Sequence, residues 1–217
     1  MESVSGVGVL DKSVLVLHAL SRVTDGMSLA DLQDATSLPR ATAHRLAAAL
    51  EDHGFVRRNA DGRYVLGFTL AALAGAAQKQ FPLATTARPI LERLVATTGE
   101  SVQLYVREGD NRRCVLSLQS PHGLRWIITE GEVYPLGRGS AGHVLADRGL
   151  TKSSWIESVA EREAGVASVS APVRIDGETI AAVSVSGPIE RLTRTPGKKF
   201  GGAVKKAAAE IESLRPL

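Results

Sequence analysis

Two sets of residues in this chain have the types and spacing to do chemistry. The first set is small and basic. In the stretch Ser37-Leu38-Pro39-Arg40-Ala41-Thr42-Ala43-His44-Arg45, helical spacing puts Ala41, His44, Arg45 and Ala48 on one side. Ala43, Leu46, Ala47 and Leu50 then form an apolar stripe on the other. A helix fits the major groove of B-form DNA, where arginine pairs with guanine O6 and N7 or grips a phosphate, threonine bonds either, and an alanine methyl allows close approach. Ser37, Arg40, Ala41, Thr42, His44 and Arg45 are therefore candidate DNA contacts. Arg57, Arg58 and Arg63 follow in a β-prone stretch, placed to lie along the flanking phosphate backbone.

The second set is a run of serines. In Ser168-Val169-Ser170 and Ser184-Val185-Ser186 the hydroxyls share one face of a strand, and such convergent donors suit a carboxylate or amide of a metabolite. A sheet face turned to solvent alternates in the same way, so the pattern alone leaves both readings open. Ser140 and Ala141, in a glycine-rich loop entering a short helix, and Trp126 and Ile128, on one side of their segment, complete the candidate effector-binding residues.

Other chemistries are poorly served. Gly139-Ser140-Ala141-Gly142 has Arg138 where a nucleophile turn needs its first glycine, and no paired His and Asp accompany it, so catalysis is not expected. His18, His44, His53, His122 and His143 show no ligand spacing with each other or with Cys114, so neither a metal nor another cofactor is expected. The single cysteine lies in an alternating apolar segment and reads as a buried thiol. The formal charge of +3 is too small to imply a nucleic-acid partner without local clustering. No apolar run approaches the roughly 18 residues of a membrane span, and no secretory leader is evident, which gives a cytoplasmic expectation.

The elements that position these residues follow from periodicity. Helices are expected near 10–22, after Ser28 (whose Asp31 stands three places on, as in a capping box) and from Pro39 to Gly54. Two β-prone runs around Asn59-Ala60-Asp61-Gly62 make a hairpin, completing a winged helix-turn-helix over residues 1–67. An Ala- and Leu-rich linker helix occupies 68–82, ended by Phe81-Pro82, and an effector-binding and self-association domain occupies 83–217. In that domain a helix at 84–98 precedes strands at 101–107, 114–119, 126–129, 168–173 and 179–186. Short helices are expected at 140–146 and 155–163, and a terminal one at 200–214. The fold class is α+β.

Leu38-Pro39-Arg40-Ala41-Thr42-Ala43-His44-Arg45-Leu46, with Leu50 to Val56 and Tyr64-Val65-Leu66-Gly67, resembles the DNA-binding domain of the IclR family of bacterial regulators. Glu163 to Val173 and Ala181 to Pro188 resemble that family's effector-domain signature. The resemblance implies a GAF-like α/β effector domain. Gly8 to Val14 and the run from Glu161 to Arg194 look most like the actinobacterial NdgR/LtbR-type regulators of leucine biosynthesis. The connection from Ala146 to Glu163 is short where many family members carry a longer helical insertion.

These readings imply double-stranded operator DNA, a small-molecule effector such as an amino acid or related metabolite, and a second copy of the chain, as dimer or tetramer, as partners. A membrane is not among them. The competing class is a metabolite-binding module that works through protein partners without sequence-specific DNA binding.

Overall fold

The capping box at Ser28 is formed: Ser28 Oγ accepts from the Asp31 amide at 3.2 Å, and Asp31 Oδ2 accepts from the Ser28 amide at 2.9 Å. It starts the second of three helices, α1 Gly8–Leu20, α2 Leu29–Thr36 and α3 Arg40–Asp52. The structure, a computed structural model, describes residues 5–80, 82–147 and 154–214. Its contacts divide the chain into two units, Met1–Gln80 and Phe81–Leu217.

In the first unit, Val16, Leu20, Leu32, Ala43, Leu46 and Ala47 pack the three helices around one core. Pro39 sits one place earlier than expected, as the N-cap of α3, where its carbonyl accepts from Thr42 and Ala43. Ser37 turns the chain between α2 and α3 with a left-handed φ of 54°. β1 Val56–Arg58 and β2 Tyr64–Leu66 pair antiparallel across the Asn59–Gly62 turn. Asn59 Oδ1 holds that turn by accepting from the amides of Asp61 and Arg63. Tyr64 also bridges Met27, tying the hairpin back to the loop after α1. The expected linker helix is α4 Phe68–Gln80, whose Phe68 and Leu73 are exposed. Phe81, read as its end, lies outside the described residues.

The second unit opens with α5 Leu83–Thr98, closed by Gly99 in the left-handed conformation. Among the described residues a six-stranded antiparallel sheet follows in the order β5-β4-β3-β8-β7-β6, built from β3 Ser101–Glu108, β4 Asn111–Leu118, β5 Val133–Pro135, β6 Ile156–Val159, β7 Val166–Ile175 and β8 Glu178–Pro188. α6 Ser140–Leu145, α7 Ile189–Leu192 and α8 Pro196–Ser213 complete it. One sheet face, through Val102, Leu104, Val169, Val183 and Val185, packs against α5 and α8. The other carries Tyr105, Cys114 and Ala182 under Val144 and Leu145 of α6.

Two expected elements are different. Residues 126–129 form no strand: Ser117 Oγ takes the Ile128 carbonyl at 2.7 Å, and ladder pairing with β4 starts only at Val133. The alternation of Trp126 and Ile128 there reflects a one-sided loop packed against the sheet. Residues 155–163 do not form a helix, because Ile156 to Val159 pair with β7. Trp155 lies over Gly197 and Gly201 of α8, and Glu157 accepts the Gly197 amide at 2.7 Å. An aromatic resting on a glycine stripe needs a strand's alternation. Part of the short connection after Ala146, residues 148–153, lies outside the described residues.

Candidate functional site

α3 is amphipathic in the sense the sequence implies. Ala43, Leu46 and Ala47 are buried, while Arg40, Ala41, His44, Arg45 and Ala49 are exposed and Thr42 is half-buried. Neither Arg40 nor Arg45 makes a hydrogen bond or ion pair with a described residue. Two positive charges therefore stand at the start and one turn along an open helix face.

The hairpin arginines divide. Arg57 is exposed and stacks 5.0 Å from the ring of exposed Phe68. Arg58 is held by its own unit, through Tyr64 Oη at 2.7 Å, the Gly62 carbonyl and Glu51. Arg63 is held more firmly, donating to Asp31 Oδ2 at 2.7 Å and the Gly26 carbonyl at 3.0 Å. The Ser28 amide and hydroxyl, followed by Arg63, keep the Asp31 carboxyl below its ordinary range. Arg63 thus bolts the hairpin to the first turn of α2.

In the second unit the serines are not on a solvated face. Ser170, Ser184, Ser186 and Ser140 are buried, and the cross-strand pairs Ser168–Ser186 and Ser170–Ser184 gather them at one place on the sheet. Ser140 Oγ, at the first turn of α6, lies 2.7 Å from both Ser168 Oγ and Ser170 Oγ. Around this cluster is a cavity of about 350 Å³, open to solvent at one end, lined by Ser140, Ala141, Ser168, Ser184, Ser186 and Trp126. Ile128 stays behind it in the packed core.

The cavity's remaining walls are Tyr105, Arg112, Ser158, Arg162, Val166 and Gly139. Arg112 is 1% exposed, and its Nη1 donates to the carbonyls of Arg138, at 2.7 Å, and Pro135. Burial pulls its pKa down to about 10. Its guanidinium carbon lies 5.4 Å from the Tyr105 ring and 5.6 Å from the Tyr134 ring. Arg162 stacks over Tyr134 at 4.2 Å and reaches Trp126 at 5.7 Å. Burial pushes Tyr134 up to about 12 and Cys114 to about 12, which keeps the Cys114 thiol in its inert protonated form.

Glu161 clasps the rim. It accepts from Ser158 Oγ at 2.7 Å and the Gly139 amide at 3.0 Å, and pairs with His143 Nε2 at 2.7 Å. Burial opposes its ionisation, but those three partners outweigh burial and hold the carboxyl below its usual range. Glycines make room for this assembly. An added Cβ at Gly142 would collide with Arg112 Nη1 and the Leu136 carbonyl, and one at Gly139 would come within 2.8 Å of the Arg162 side chain. Among the described residues no group of three or more His, Cys, Asp or Glu side chains gathers, and no helix is long and apolar enough to cross a membrane.

Residues 9–60 match the IclR helix-turn-helix domain, and residues 75–148 and 148–213 match the bacterial transcriptional regulator IclR C-terminal domain. The chain belongs to the IclR family. It is 26% identical over 238 residues to the glycerol operon regulatory protein of Streptomyces griseus, covering 93% of this chain and 94% of that one. A match to the regulator KipR of Bacillus subtilis, 28% identical, covers 55% of this chain and 48% of that protein. In fold it resembles an IclR homologue from Microbacterium hydrocarbonoxydans crystallised with 4-hydroxybenzoate, with a TM-score of 0.78 at 21% identity, covering 94% and 98% of the two chains. IclR-family members are transcriptional regulators, not enzymes.

The pocket residues that alternation did not reveal are Arg112, Tyr105 and Arg162. Counting back from Leu116 in twos puts Cys114 and Arg112 on the apolar face. A bulge opposite Leu104 and Tyr105 instead turns both toward the cavity. Arg162 sits in a loop that carries no periodic signal.

Proposed function

We propose that this IclR-family regulator reads operator DNA with the exposed face of α3 and responds to a small metabolite held in the serine-lined cavity of its second unit. The carrying observation is the open basic face of α3, where Arg40 and Arg45 have no partner in the protein while every apolar side chain of that helix faces the core or its edge. On this reading Arg40, Ala41, Thr42, His44 and Arg45 enter the major groove, Ser37 reaches the backbone at the turn, and Arg57 takes a flanking phosphate. Arg58 and Arg63 set the wing's position first and add to the field around it.

An effector acts by binding one arrangement of a dimer or tetramer better than another, so changing the spacing of the two α3 helices. The exposed apolar residues Val9, Leu10, Val14, Phe68 and Leu73 of the first unit support self-association. The 4-hydroxybenzoate complex of the Microbacterium homologue supports a small-molecule effector. Control of leucine and other amino-acid biosynthesis genes, in the cytoplasm, follows from the resemblance in the segments 8–14 and 161–194, and an amino acid or a related metabolite is the effector that fits such a role.

Footprinting of genomic fragments tests this reading. The expected result is a salt-sensitive protected sequence with two half-sites about 10 base pairs apart or a multiple of that. Protection of no sequence would favour a metabolite-binding module working through protein partners.

A further inference from the structure

We infer that the cavity is a receptor for a small organic acid that carries no ammonium group, with its carboxylate held by the Nε and Nη2 edge of Arg112. This rests on the reading of the cavity as the effector site.

Among the described residues only Nη1 of Arg112 finds acceptors, and Nε is buried without a partner. A guanidinium buried this deeply with no counter-charge costs several kcal/mol, so it favours an anion strongly. The same unit displays what completes such an edge. Arg191 offers Nε and Nη2 to the two oxygens of buried Glu100, at 2.6 and 2.8 Å, in a side-on fork. At Arg112 the same fork faces a cavity.

The other orphaned atoms point the same way. Trp126 Nε1 lines the cavity and is buried without a partner, and Gln103 Nε2, whose Oε1 accepts from Ser186, is another. All three are donors, so the ligand must be rich in acceptors. No Asp or Glu lines the cavity. Glu161, at its rim, is already occupied by Ser158, His143 and the Gly139 amide. An α-ammonium would meet the guanidinium groups of Arg112 and Arg162 and no carboxylate. A carboxylate with a further oxygen for Trp126 and the serines satisfies what an amino acid cannot.

Calorimetry on the full chain tests this with matched probes: 4-methyl-2-oxopentanoate against leucine, and benzoate and 4-methylpentanoate each against its carboxamide. At least one acid is expected to bind about tenfold or more tighter than its ammonium or amide counterpart. Arg112→Lys, which keeps the charge but loses the fork, is expected to weaken that acid about thirtyfold. Leucine or an amide binding as well as its acid, binding by none of the probes, or an unchanged affinity in a folded Arg112→Lys protein each overturns the proposal. Ser168→Trp, which fills the cavity from a half-exposed wall, separates the two claims. An acid that binds it as it binds wild type binds elsewhere, and the effector-site reading then falls as well.

Discussion

Replacing Arg40 and Arg45 together by alanine is expected to weaken operator binding about a hundredfold or more while leaving thermal stability within about 0.5 kcal/mol of wild type. Each arginine is worth about 1–3 kcal/mol if it pairs with guanine, and somewhat less on a phosphate, and neither spends its charge inside the protein. The two contributions differ in their salt signature. A lost phosphate contact lowers the slope of log affinity against log salt by about one, whereas a lost base contact relaxes sequence preference at one position. Arg63→Ala provides the contrast, since its guanidinium is committed to Asp31 and Gly26 and its removal loosens the wing. Gel-shift titration across salt concentrations reads all three variants. Wild-type affinity in the double variant would mean that α3 is not the reading helix.

Gly142→Ala is expected to destabilise the second unit by about 3 kcal/mol, lowering its melting temperature by roughly 10 °C. The added methyl meets two obstacles, and one of them is backbone. Arg112 could move only by giving up the carbonyls that hold it, and the Leu136 carbonyl cannot leave the turn between β5 and α6. Removing the guanidinium in the same chain, as Arg112→Ala, should therefore fail to restore stability. Gly202→Ala in α8 is the control, because a Cβ there meets nothing within 4 Å and alanine suits a helix better. A Gly142→Ala protein melting with wild type would show that α6 and β4 approach less closely than the geometry indicates.

The first unit was largely legible because its signals are local. The Ser28 and Asp31 capping box, the Asp61-Gly62 turn and the 3.6-residue stripe of α3 each act within a few residues, and each is present in the fold. The second unit was legible where strands are long and regular: the alternation of Ser168, Ser170, Ser184 and Ser186 places them on one face. It was less so where tertiary context chooses. Trp155 reads as the start of a helix until Gly197 and Gly201, some forty residues on, offer it a surface. Arg112 reads as a solvated strand residue until a bulge turns it inward. The open fork of a buried arginine is a property of three dimensions, since it depends on which carbonyls from 135 and 138 return to meet it.

The central claim, that α3 sits in the major groove and does so in pairs, is tested most directly by tethered cleavage. Ala49 is exposed one turn beyond Arg45, and Cys114 is buried with its thiol held protonated, so Ala49→Cys gives a single reactive position for an iron chelate. Bound to its footprinted operator, the labelled protein is expected to cut in the major groove at two symmetric clusters, about 10 base pairs apart or a multiple of that. Cuts spread evenly along the fragment, or confined to the sequence flanking the footprint, would contradict the account.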